Sequence, residues 1–182
     1  MIIGENMDTK FLITQFIGLI GYSTLAFSYF KKEKKDILLI QIMSYILFVI
    51  HYQFLHAITG SVCNLLGLIA FLIIYLFDAH KKSKKVLIAI LIPILLVISF
   101  ITYENIYSIF PIISSVLAVF SFTTNNEDLI RRVGIICALC WLIYAIVYKS
   151  YVAIVFEIVT LIAVVIAYIK RRKRYYEKEK KD

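Results

Sequence analysis

The chain is poor in the residues that soluble domains use for surfaces and turns. Only 18% of its 182 residues are charged, where a soluble domain has about 25%. Six glycines and two prolines are too few for a turn-rich β protein. What replaces them is apolar: hydrophobic residues make up 62% of the chain, far more than one soluble core can bury.

Cysteine is also scarce, which argues against a disulfide framework. The three cysteines, Cys63, Cys137 and Cys140, all lie inside apolar runs. Cys137 and Cys140 have the spacing of a redox pair, but a reactive thiol requires a polar and accessible surrounding. We therefore interpret all three as small packing residues of buried helices.

Seven long and largely uncharged runs divide the sequence, and each has the length of a membrane-spanning helix. A membrane β-barrel would show shorter segments of alternating polarity. The pattern predicts an all-α integral membrane protein with seven transmembrane helices. The predicted spans are 11–30, 37–55, 58–77, 86–102, 106–123, 131–148 and 151–169.

The basic residues alternate strictly between the two ends of these runs. Eighteen of the 20 lysines and arginines lie in loops 31–36 and 78–85, at 131–132, or in the tail 170–182. Lys10 and Lys149 are the two on the other side. By the positive-inside rule, basic loops stay in the cytoplasm. This rule places the N-terminus, with segment 1–10, outside and the basic tail inside. Anionic lipid explains that tail, and we expect no nucleic-acid partner.

A weak internal repeat appears when the chain is shifted by 93 positions. Phe27-Ser28-Tyr29 then falls on Phe120-Ser121-Phe122, and His51 on Tyr144. The alignment predicts two three-helix bundles, 11–77 and 106–169, joined by a linker helix, 86–102, that faces lipid. Because the linker reverses direction once, both bundles have the same orientation, as parallel repeats do.

Two isolated polar residues occupy equivalent positions in the third helix of each bundle, Asn64 and Glu157. A polar or charged group inside a membrane helix is unfavourable without a partner and is a candidate for function. Equivalent aromatic and polar residues precede them, so the repeat brings one set to a common seam. Glu157 and His51 are expected there either to exchange a proton or to form a structural pair. The predicted substrate site consists of Asn64, Glu157, Trp141, His51, Tyr144 and Phe48.

The runs that carry these residues resemble a known family. ILFVIHYQFLHAITGSVCNLLG and its second copy CWLIYAIVYKSYVAIVFE are similar to the bacterial inner-membrane YgjV family, over about residues 14–170. The 3+1+3 layout is similar to that of the SWEET and PnuC transporters. That resemblance implies a substrate site at Asn64 and Trp141, with Phe48 and Glu157 at the equivalent places. Glu157 stands where a SWEET-type sugar carrier has asparagine, which favours a cationic or protonatable solute over a sugar.

These residues bear on three classes of function. A small-solute transporter of the bacterial cytoplasmic membrane fits the seam best, and a non-transporting scaffold or assembly partner is the alternative. An enzyme is not expected, because the sequence shows no recognisable set of catalytic residues, no metal-ligand spacing and no glycine-rich phosphate loop. The expected partners are the lipid bilayer, a small polar or cationic solute and further copies of the chain, without a cofactor or metal.

Overall fold

The computed structural model describes residues 9–28, 34–79, 85–123, 127–162 and 165–166. These residues are helical apart from short connections, and no strand occurs among them, so the all-α fold class is confirmed. A short 3₁₀ turn, Ile106–Ser108, precedes the fifth helix. The helices are α1 (Thr9–Ser28), α2 (Lys34–Phe54), α3 (Ile58–Ala79), α4 (Lys85–Ile101), α5 (Ile109–Thr123), α6 (Glu127–Val147) and α7 (Tyr151–Ile162).

The first eight residues and the tail 170–182 lie outside the described part of the chain. The predicted positions of the N-terminal segment 1–10 and of the basic tail therefore stay predictions. Residues 31–33 of the first basic loop and 80–84 of the second are also outside it.

Helix length by itself supports fewer crossings than the sequence predicted. Within the described residues, two stretches are long and apolar enough to span a bilayer, Thr9–Ser28 and Ile58–Leu76. The other five helices contain apolar stretches of 10–17 residues. The prediction of seven spans thus continues to rest on the charge pattern.

The helix surfaces carry the polarity of a protein surrounded by lipid. Large aliphatic residues point outward, including Val97 (60% exposed) and Ile101 (77% exposed). Small polar residues such as Ser44, Ser99 and Ser150 are completely buried between helices. Outward apolar and inward polar side chains are the arrangement that a hydrocarbon solvent favours.

Helices that follow one another in the chain pack together. In the first part of the chain α2 packs against both α1 and α3, and in the second part α5 packs against α6. Helix α3 contacts α5, and α4 lies against both of them. Helix α4 is therefore peripheral on one side only: Ile94 is exposed, whereas Leu95 packs against Ala70 and Val119. That its exposed side faces lipid stays a prediction.

The two parts of the chain share their local geometry at an offset of 93 residues. Helix α6 begins and ends 93 positions after α2, and α7 begins 93 positions after α3. The turns between them match as well. His56 (φ 56°) and Lys149 (φ 53°) are left-handed at equivalent positions, and four backbone hydrogen bonds around them recur at the same offset.

Candidate functional site

Aromatic rings from α1, α2, α6 and α7 fill the space between the two parts of the chain. The ring of Tyr22 lies 4.6 Å from that of Phe48 and 5.3 Å from that of Phe156, measured between centroids. The ring of Tyr52 lies 5.3 Å from Trp141 and 5.8 Å from Tyr144. We call these six rings the aromatic cluster. It brings together three of the predicted site residues, Phe48, Trp141 and Tyr144.

Glu157 borders this cluster and is 92% buried, with 8% of its surface exposed. The Tyr22 hydroxyl donates a hydrogen bond to its Oε1 at 3.4 Å. That hydroxyl is also 3.4 Å from the Tyr52 hydroxyl. The carboxylate thus connects α7 to α1 and, through Tyr22, to α2. Among the described residues, no lysine, arginine or histidine forms an ion pair with it.

His51 has both ring nitrogens engaged elsewhere. Its Nδ1 is 2.8 Å from the Thr14 carbonyl oxygen, and its Nε2 is 2.7 Å from Ser150 Oγ. Because a carbonyl only accepts, Nδ1 carries the hydrogen, and Nε2 of the neutral ring accepts from the Ser150 hydroxyl. The expected pair with Glu157 is not formed. His51 instead ties α1 and α2 to the start of α7.

Tyr144, the repeat equivalent of His51, makes the reciprocal contact. Its hydroxyl accepts a hydrogen bond from the Gly60 amide at 2.9 Å, near the start of α3. The Asn64 side chain donates to the Gly60 carbonyl at 2.8 Å, within its own helix. The structure therefore places Asn64 next to the Gly60–Tyr144 contact, and its amide is bonded to α3 and not to Glu157.

A layer of polar contacts closes the end of the molecule that holds the α2–α3 and α6–α7 turns. Glu104 Oε2 accepts hydrogen bonds from the Thr59 amide at 3.0 Å and from the Tyr148 hydroxyl at 3.2 Å. At the start of α7, Gln15 Oε1 of α1 accepts a hydrogen bond from the Val152 amide at 3.2 Å. Thr59 and Val152 are repeat equivalents. Each helix start is thus capped by a side chain from a distant part of the sequence, which satisfies an otherwise free amide.

An open pocket of about 230 Å³ lies at this same end. Its lining consists of Lys10, Phe11, Thr14, Phe54 and His56. It is separate from the aromatic cluster but adjoins Thr14, whose carbonyl binds His51. The described residues contain no group of three or more histidines, cysteines or carboxylates that is suited to a metal ion. The three cysteines are free thiols.

The sequence prediction missed two central residues of this site, Tyr22 and Tyr52. Their repeat equivalents are the small residues Ser115 and Ala145, so the pairs of large aromatic or polar residues that marked the other positions were absent here. Helical spacing carried the available signal: Phe48 and Tyr52 are four residues apart and share one face of α2. Tyr52 and Ala145 also belong to one buried cluster. Where equivalent residues approach each other, one large and one small side chain fit better than two large ones.

Comparison with known proteins adds the family to this geometry. A family model described as a bacterial inner membrane protein, Imp-YgjV, matches residues 12–175, nearly the whole chain. The chain belongs to the Imp-YgjV family. Its members are inner-membrane proteins, so the predicted location is confirmed at that level. Neither the curated proteins nor the solved structures contained a significant match, and the resemblance to SWEET and PnuC carriers gains no support from them.

Proposed function

We propose that this Imp-YgjV protein crosses the inner membrane seven times and transports a small solute between two three-helix bundles. The matching turns and helix bounds at an offset of 93 residues support two repeats, α1–α3 and α5–α7, joined by α4. The charge pattern supports an external N-terminus and a cytoplasmic C-terminus. Alternating access would then consist of rocking one bundle against the other.

The observation that carries the proposal is the position of Glu157. Its carboxylate is buried where α7 meets α1, and the described residues supply one tyrosine hydroxyl and no cation to it. An ionised carboxylate in such a place is unfavourable, and a role limited to holding helices together is served better by a neutral side chain. Glu157, Tyr22 and Tyr52 therefore form the proposed centre of the substrate site, with Phe48, Trp141 and Tyr144 as its apolar walls.

One observation favours the alternative, a scaffold that transports nothing. The rings of Tyr52 and Tyr144 are completely buried and in mutual contact, so the seam is packed in this conformation. A transporter must separate these rings during its cycle, whereas a scaffold keeps them together. The two functions therefore differ in whether a solute reaches Glu157.

The deciding experiment is a ligand screen on purified protein, with thermal unfolding as the readout. Sugars, nucleosides, vitamins, amines and inorganic ions would be tested on the wild type, Glu157→Gln and Glu104→Gln. Glu104 is an exposed carboxylate of the turn end, and glutamine keeps an oxygen that can accept from Thr59 and Tyr148, so this variant controls for the loss of one negative charge. A ligand at a hundredfold excess over its Kd stabilises the folded state by about 2.7 kcal/mol.

We expect a ligand that raises the melting temperature of the wild type and of Glu104→Gln but not of Glu157→Gln. Tyr22→Phe, which removes the hydrogen bond to the carboxylate and keeps the ring, should weaken that response without abolishing it. A screen without any hit, together with a Glu157→Gln variant that is merely less stable, would favour the scaffold.

A further inference from the structure

We propose that the site binds a small organic cation of the amine class and releases one proton from Glu157 as the cation enters. This inference rests on the proposed transport function and specifies its substrate class and its coupling. It is carried by the charge, the rings and the hydrogen-bonding groups that surround the carboxylate.

Among the residues that the structure describes, no positively charged group is bonded to Glu157, so its charge calls for a positive partner. The groups that face it are the hydroxyls of Tyr22 on α1 and Tyr52 on α2, together with the Cys137 thiol on α6. Phenols and thiols of ordinary acidity are neutral at pH 7. His51 is held by Thr14 and Ser150. A buried carboxylate in this setting is compensated either by its own proton or by a bound cation.

The walls of the site suit an organic cation better than a bare metal ion. The ring centroid of Tyr22 lies 4.6 Å from that of Phe48 and 5.3 Å from that of Phe156. The ring centroids of Tyr52 and Trp141 are also 5.3 Å apart. Aromatic faces attract ammonium groups and also bury their alkyl parts. A metal ion would need several oxygen ligands, whereas Glu157 and two phenols offer fewer strong ones.

A hydrogen-bond acceptor without a donor lies on the same buried face of α2. Gln41 is 5% exposed, and its Oε1 has no hydrogen-bond partner among the described residues. It lies seven residues before Phe48, which is two helical turns along one face. At about 10.5 Å along the helix axis from Phe48 it does not share one ammonium group with Glu157, but it offers a hydrogen-bond acceptor to a protonated amine that passes along this face.

The exchange can be written as a balanced step. The protonated Glu157 carboxyl and a free alkylammonium ion give a carboxylate–ammonium ion pair and a proton released to water. The cation enters by separating α7 from α1 and α2, since the rings are in contact in this conformation. One proton leaves for each cation bound, so no net charge enters the seam.

Trp141 is the only tryptophan of the chain and packs against Tyr52, so its fluorescence reports binding at the cluster. The probes are n-butylammonium, 1-butanol and butyrate, which share an alkyl chain and differ in charge. Purified protein would be titrated with each at pH 6, 7 and 8. We expect n-butylammonium to bind at least about tenfold more tightly than the other two. Because one proton leaves for each cation bound, the Kd of n-butylammonium should fall by up to about tenfold for each unit that the pH rises.

The variants separate this inference from the transport proposal. Glu157→Gln should lose both the preference for the cation and the pH dependence, and Glu157→Asp should keep both if the carboxylate is what matters. Glu104→Gln should behave as the wild type. Butanol binding as tightly as n-butylammonium, or a Kd independent of pH, would overturn cation–proton exchange while leaving a solute site at the seam. If no compound of the wider screen binds either, the transport proposal fails as well.

Discussion

His56 and Lys149, 93 residues apart, are both left-handed and occupy the same position of two matching turns. A left-handed backbone is unfavourable for residues with a Cβ atom. In each turn the residue after it donates a backbone hydrogen bond to a carbonyl five positions back, Ala57 to Tyr52 and Ser150 to Ala145. This shared turn directs α3 and α7 back along α2 and α6, and so builds the two halves alike.

Glycine at either turn should stabilise the protein. His56→Gly and Lys149→Gly remove the steric strain of the left-handed conformation, so each should raise the free energy of unfolding by about 1 kcal/mol. Gln53→Gly, in the last turn of α2, should lower it by about 1 kcal/mol. Denaturant unfolding in detergent micelles measures all three. Opposite signs for the two turn variants would show that the turns are not equivalent.

Glycines at the helix contacts should not tolerate even a methyl group. A Cβ atom on Gly60 would collide with Tyr144 Cε1, and one on Gly18 would lie 2.7 Å from His51 Cε1. Both rings are held by hydrogen bonds and cannot move freely. Gly60→Ala and Gly18→Ala should therefore each destabilise the protein by about 1–3 kcal/mol.

Gly134 provides the matched control for this prediction. A Cβ atom there meets nothing within 4 Å. Gly134→Ala, inside α6, should be neutral or stabilising by up to about 1 kcal/mol because alanine favours the helix. Equal effects at Gly60 and Gly134 would mean that Tyr144 does not pack against α3 as described.

The hydrogen bond between His51 and Ser150 should contribute more to the free energy of unfolding than a serine hydrogen bond within one helix. Ser150→Ala leaves a buried imidazole nitrogen without its partner, so we expect a loss of about 1–3 kcal/mol. Ser44→Ala is the control, because Ser44 is equally buried but bonds only to the Ile40 carbonyl of its own helix. It should change stability by less than about 0.5 kcal/mol. A similar cost for both variants would contradict the bridge to α7.

The predictable part of this fold follows from patterns that repeat along the chain. Apolar runs and charge boundaries predicted helix ends within a few residues, as for the start of α3 at Ile58. The offset of 93 makes Ala57 and Ser150 equivalent, and the matching hydrogen bonds of the two turns agree with this. It did not reveal that Ser150 reaches His51, because a side-chain contact across the seam depends on how two helices rotate against each other. Sequence spacing describes each helix by itself.

The same limit applies to the candidate site. Glu157 was found because it is the single charge of its run, and Phe48 and Trp141 because they are equivalent. Tyr22 was missed because its equivalent, Ser115, is small. Its importance comes from four neighbours on two other helices, Phe48, Tyr52, Phe156 and Glu157. A residue that acts through contacts between distant segments leaves no periodic signal in one sequence.

The orientation predicts opposite labelling of two exposed carboxylate positions. Glu104 lies in the loop before α5, at the turn end, and Asp36 lies in the first turn of α2, next to the basic loop. In spheroplasts, a membrane-impermeant maleimide should label Glu104→Cys at once and Asp36→Cys only after the membrane is permeabilised. The wild type is the control for its own three cysteines, of which Cys63 and Cys140 are buried. Labelling of both variants from outside would contradict the number of crossings between the two positions. Labelling of Asp36→Cys alone from outside would show the opposite orientation, with the basic loops on the external side.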